Sequence, residues 1–232
     1  MRDPDTSTPG NSDCERLRTG WVAQPANTVS SLAYVAAGLV LMRWARVRPS
    51  IDESSAWPVA TGLITAGLGS LDYHGFQSPL AQWGHDWGIA VPLVAAVHAD
   101  AGELLPQVPP RLRSALSAGA LAAMGLLLAR RPRSGPLGAA VGVLALGTFE
   151  LALWGRGRRP GPRRRSGPLL AAAAGCGLAG AAVLTLSRSG GPWCRPDSLL
   201  QGHAAWHVLS AMSLASWALA VLPEGDRPGA SG

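Results

Sequence analysis

This chain contains no lysine; all 20 of its basic residues are arginine. Without an ε-amine there is no place for a Schiff base, so a retinal-carrying seven-span protein is excluded. Charge of either sign is scarce, at 15% of residues, and only 14 residues are acidic. Residues 1–26 lack an apolar core preceded by basic residues. No cleaved signal peptide is therefore expected, and the first apolar segment serves as the insertion signal. Glutamate is missing from the histidine pair in His203-Ala-Ala-Trp-His207, which excludes the helix-borne signature of zinc proteases.

What is present is apolar. Hydrophobic residues make up 47% of the 232, with 29 Gly and 19 Pro, and runs of Ala, Leu, Val and Gly alternate with short clusters of Arg, Pro and Gly. That texture predicts an all-α polytopic membrane protein, a bundle of seven transmembrane helices. The spans are expected at about 27–44, 57–74, 83–101, 114–129, 137–154, 169–186 and 199–222. Most fall at or just under the roughly 20 residues that cross a bilayer core, and Trp44, Trp57, Trp83 and Trp154 stand at their ends as interfacial anchors. Gly138 and Gly142, four apart in the fifth span, permit close helix approach. The net charge of +6 does not indicate a nucleic-acid partner, because the arginines flank apolar runs.

Arginine also sets the expected orientation. With the N-terminus outside, 12 arginines fall in inner loops and tail against 8 outside, most of the bias coming from the six between Arg156 and Arg165. The expected organisation is an outer tail over 1–26, a seven-helix domain over 27–222 and a cytoplasmic tail over 223–232, in a plasma membrane.

Parity brings distant residues to one depth. With seven spans, the N-terminal tail, the end of span two, the start of span three and the start of span seven share one face. Ser70 and His74 lie one turn apart at the end of span two, Asp86 opens span three, and His203 and His207 share a helix face at the start of span seven. Ionisable groups in a membrane bundle point to function. Three imidazoles, His74, His203 and His207, with a fourth position left to solvent, fit a catalytic zinc site, and a zinc ion acidifies water. A general base must come from outside the His203/His207 pair, and Asp86 is the candidate. Bis-histidine haem ligation is excluded for that pair, because both imidazoles lie on one side. The same parity places Cys14 and Cys194 on the outer, oxidising face, which predicts a disulfide; Cys176, inside span six, is expected to be a small buried apolar residue.

The ordered set Asp13-Cys14-Glu15, Asn27-Thr28-Val29-Ser30, Ser70 with His74, Asp86, and His203 with His207 resembles the alkaline ceramidase family, within a superfamily of seven-span membrane hydrolases that includes the adiponectin-receptor type. The resemblance implies a zinc ion on His74, His203 and His207, Asp86 activating water, Ser70 beside the developing oxyanion, and a ceramide cleaved to a sphingoid base and a fatty acid. The family's calcium-binding acidic cluster is reduced here to Asp13 and Glu15, with Gln24 before the Asn-Thr motif and Ser31 where Asn is usual. Calcium takes six to eight oxygens, so tight calcium binding is not expected.

His98 is expected to be packed or interfacial, His85 to stand behind Asp86 outside the ligand set, Asp72 to bond His85 or a loop amide, Glu150 to make a structural hydrogen bond, and Asp100 and Glu103 to be solvated. Two alternatives use the same scaffold. One is hydrolysis of another acyl lipid; the other is a zinc-containing, receptor-like protein without turnover.

Overall fold

The computed structural model describes residues 12–48, 53–156 and 166–221. Most of the arginine-rich loop (157–165), the expected cytoplasmic tail (223–232) and residues 1–11 lie outside the described residues. Among those described, the regular structure is helical: α1 (Pro25–Ser30), α2 (Leu32–Val47), α3 (Glu53–Phe76), α4 (Pro79–Leu104), α5 (Pro110–Arg130), α6 (Gly135–Gly155), α7 (Gly167–Leu186) and α8 (Gly202–Val221), with a single 3-10 turn at Pro132–Ser134.

Five stretches are long and apolar enough to cross a membrane: Pro25–Val47, Pro110–Arg130, Pro132–Gly155, Gly167–Leu186 and Gly202–Val221. The expected seven spans are thus matched at five. Helices α3 and α4, at 24 and 26 residues, have ample length. They are less apolar because they carry Asp72, His74, His85, Asp86, His98 and Asp100. Large apolar side chains such as Val141, Leu144, Leu151 and Leu178 stand exposed on α6 and α7. In water such a surface would drive association; against lipid it is matched. At the end of the bundle away from the N-terminal tail, Arg46 lies 5.4 Å over the Trp57 ring and Arg48 lies 5.3 Å over Trp44, joining the anchoring residue types in cation–π pairs.

The core runs between α2, α3 and α8. Tyr34, Leu41, Val59, Leu63, Trp217 and Val221 are buried in it. Helix α7 packs along α8, while α5 and α6 pack along α4. Trp217 Nε1 donates to Glu150 Oε1 at 2.6 Å, so the acid in the fifth span makes a structural hydrogen bond between α6 and α8.

Local sequence explains how the site end is built. Pro25 starts α1 where its missing N–H costs nothing, and Gln24 supplies no side-chain cap. The Glu15 carboxylate caps instead, accepting from the Ala26 N–H at 2.8 Å and the Asn27 N–H at 2.9 Å. The first span is then interrupted at Ser31. Ser30 Oγ and Ser31 Oγ both donate back to the Asn27 carbonyl, at 3.0 and 2.8 Å, which loosens the helical ladder there.

Helices α3 and α4 meet backbone to backbone. A Cβ on Gly62 would lie 2.8 Å from Pro92 backbone atoms, one on Gly69 2.6 Å from the Gly84 carbonyl oxygen, and one on Gly88 3.0 Å from the Thr65 carbonyl oxygen. Helices α2 and α3 approach as closely, a Cβ on Gly38 lying 2.5 Å from the Ala60 carbonyl oxygen, whereas Gly138 and Gly142 face the side chains of Met124 and Leu93. Gly69→Ala is expected to destabilise the protein by about 1–3 kcal/mol, because backbone cannot yield as a side chain can. Gly84→Ala, with open space at its Cβ, is expected to leave stability unchanged or raise it. Melting temperatures of the two variants in detergent check this, and equal values would contradict it.

Candidate metal centre

One end of the bundle gathers four histidines. A ring nitrogen from each of His74, His85, His203 and His207 lies within 4.8 Å of the others, and all four side chains are buried. His74 comes from the last turns of α3, His85 from the second turn of α4, and His203 and His207 from the first turns of α8. Ring centroids stand 4.8 Å apart for His74 and His203, 5.0 Å for His74 and His207, and 4.7 Å for His203 and His207.

The hydrogen bonds fix which nitrogen faces inward. Gln24 Nε2 donates to the Glu15 carbonyl, so its Oε1 is the atom 2.7 Å from His74 Nδ1. An amide oxygen only accepts; His74 therefore carries its proton on Nδ1. His207 Nδ1 lies 2.9 Å from Ser30 Oγ and 3.4 Å from Ser31 Oγ. Both hydroxyl protons already go to the Asn27 carbonyl, so the serines accept here and His207 too is protonated on Nδ1. The break after α1 thus serves the site directly.

Nε2 of His74, His203 and His207 is buried without a hydrogen-bond partner among the described residues. Buried polar atoms are nearly always satisfied, and three unsatisfied nitrogens on imidazoles that cluster this closely suit a metal ion. Imidazoles tied through the other ring nitrogen to an oxygen acceptor are the usual partners of such an ion. The donor set fits: the four histidines can hold a metal.

The sequence-expected residues are distributed as follows. His74, His203 and His207 come together. Ser70, one turn before His74, is fully buried, and its Oγ has no hydrogen-bond partner among the described residues. Asp86 approaches through His85: its Oδ1 accepts from His85 Nδ1 at 2.8 Å, and its carboxylate rests against Gly135 at the start of α6, where a Cβ would meet it. Adjacent residues do face different ways, as expected, but it is His85 that joins the cluster and Asp86 that stands behind. Asp72 is exposed. His98 bonds Ser117 on α5 at 2.9 Å. Asp100, expected to be solvated, is instead fully buried in α4.

The N-terminal tail closes over this end. Cys14 and Cys194 form a disulfide with a Cα–Cα distance of 5.6 Å. Beyond it, Arg16 grips Asp197 through two bonds of 2.6 and 2.7 Å, which holds that exposed carboxyl below its ordinary range. Asp13, beside the disulfide, points inward; burial pushes its carboxyl up to about 6, with His85, the Ser12 hydroxyl and Arg188 pulling the other way. Sequence reasoning placed Asp13 only in the tail's acidic pair, and His85 outside the ligands. A signal for His85 was present in Gly69 and Gly84, the small residues that let α3 and α4 meet next to Ser70 and His85.

No protein-family model matches the chain, and comparison with curated proteins gives no significant match. By its own residues, the chain is a helical membrane protein with five candidate spans and a buried four-histidine cluster able to hold a metal ion.

Proposed function

We propose that the protein is a zinc-dependent amidohydrolase that cleaves the amide bond of ceramide-like lipids to a sphingoid base and a free fatty acid. The observation that carries this reading is the convergence of three partnerless, buried Nε2 atoms, on His74, His203 and His207, at one end of a membrane bundle. The ordered resemblance to alkaline ceramidases supports the substrate class. In this reading α1 and α2 together form the first of seven helical rods that all cross a plasma membrane, with residues 27–222 forming the hydrolase domain, the tail over 1–26 outside and 223–232 in the cytoplasm.

His74, His203 and His207 are the residues that would hold the zinc. Zinc bound there supplies Lewis acidity, polarising an amide carbonyl and making water acidic near neutral pH. The Ser70 hydroxyl, buried and unpartnered, donates to the carbonyl oxygen as negative charge develops on it. Asp86 is the general base of this reading; its carboxylate stands behind His85 and accepts from His85 Nδ1, so the proton of the attacking water would reach it by way of that imidazole. A site at the end of the bundle suits a lipid whose scissile bond lies near the headgroup and whose tails remain in hydrocarbon.

His85 favours a second reading. A fourth imidazole fills the position that a catalytic zinc site leaves to water, and a protein so closed holds zinc without turnover. Purified protein in detergent is expected to contain zinc and to release fatty acid from ceramide, to stop on chelation and to recover with zinc. Turnover by folded protein free of transition metal overturns the proposal. Zinc retention with no release from ceramide establishes the second reading if acyl esters and phospholipids are also spared, and a different lipid hydrolase if one of them is cleaved.

A further inference from the structure

Three of the four clustered imidazoles have an oxygen acceptor on Nδ1: Gln24 for His74, Asp86 for His85, and the Ser30–Ser31 pair for His207. Among the described residues His203 has no hydrogen-bond partner on either nitrogen. The group facing its Nδ1 is the Asp13 carboxylate, with Oδ1 at 3.4 Å; Asp13 Oδ2 lies 3.8 Å from His74 Nδ1. The Asp13 side chain is only 7% exposed, and Oδ2 has no hydrogen-bond partner among the described residues. A carboxylate buried in this way is costly; Arg188 offsets part of that cost, and a cation held by the imidazoles would offset more.

Its placement is fixed from both sides. Cys14 adopts a left-handed backbone (φ 68°), a region an L-residue enters at a cost, and is held there by the disulfide and by its N–H bond to Ser189 Oγ at 3.1 Å. On the other side of Asp13, the Ser189 N–H donates to the Ser12 carbonyl at 3.2 Å. The turn directs Asp13 away from solvent and onto the histidines.

Charge supplies a second argument. Neutral imidazoles leave the charge of a divalent ion uncompensated in a buried place. Asp86, behind His85, offers one negative charge, and Asp13, beside His203 and His74, offers the other. We propose that Asp13 is a positioning residue of the metal centre, which accepts from His203 Nδ1–H and neutralises half the charge of a bound divalent ion; this rests on the metal-site reading above.

Zinc affinity, measured by competition with a chromogenic chelator, and the visible absorption of the cobalt(II)-loaded protein test it on full-length Asp13→Asn, Asp13→Glu and His203→Ala, with the disulfide verified in each. Asp13→Asn is expected to bind zinc about 10–100-fold more weakly and to shift the cobalt spectrum, with Asp13→Glu recovering part of the affinity. The zinc-free melting temperature of Asp13→Asn is expected not to fall, since a buried charge has been removed. Wild-type affinity in Asp13→Asn overturns the proposal, as does a lowered zinc-free melting temperature with no rescue by Asp13→Glu, which marks a purely structural role. His203→Ala is expected to lose binding; wild-type affinity there overturns the metal-site reading itself.

Discussion

His207→Ala is expected to abolish metal retention and, with it, fatty-acid release. His207 is buried, its Nδ1 is fixed by two serines and its Nε2 faces the other imidazoles. Loss of an outer partner costs roughly 10–100-fold in metal affinity or activity, and loss of the ligand itself is expected to exceed that. Replacing both Ser30 and Ser31 by alanine supplies the comparison. It leaves the ligand in place but removes the acceptors that fix its tautomer, so it should fall within the 10–100-fold range. Metal content of the purified variants by elemental analysis decides the order; equal, full occupancy in wild type and His207→Ala contradicts the site.

Replacing Cys14 and Cys194 together by serine is expected to lower stability by about 2–5 kcal/mol and to weaken metal retention. The disulfide joins residues 180 apart, so it restrains a long stretch of the unfolded chain. It also anchors the segment that carries Asp13, Glu15 and Gln24 to the loop before α8. Glu15 caps α1, at whose end Ser30 and Ser31 orient His207, while Gln24 orients His74. Tail release should therefore disturb two imidazoles as well as Asp13. Thermal unfolding in detergent, with and without reductant, measures the first effect and chelator competition the second. Identical melting temperatures for oxidised and reduced protein contradict the expected stabilisation.

The three-histidine core of the site was legible because two simple regularities suffice. A spacing of four puts His203 and His207 on one face of α8, and parity brings His74 to the same end of the bundle. His85 escaped because a helical wheel gives relative direction within α4 but not which face meets α3. That choice is made by the backbone contact at Gly69 and Gly84. Asp13 escaped for another reason: an irregular tail has no period from which to project a side chain, and its direction depends on the turn at Cys14. In the fold, helix positions followed hydropathy closely for the apolar segments. The interruption at Ser31 was not legible because it depends on hydroxyls bonding back to the Asn27 carbonyl, and hydropathy does not register such bonds.

The elements that build the metal centre are far apart along the chain, α3 and α4 in its first half and α8 near residue 202, and this fixes when in biosynthesis the centre can exist. A growing polypeptide that has completed only α4 possesses His74 and His85 but neither His203 nor His207. Cys14 must likewise wait for Cys194 to be synthesised before the ring can close. Capture of an ion by all four imidazoles would therefore follow the synthesis of α8, and a chain truncated just before that helix keeps both cysteines of the tail's tether but only two of the four clustered histidines.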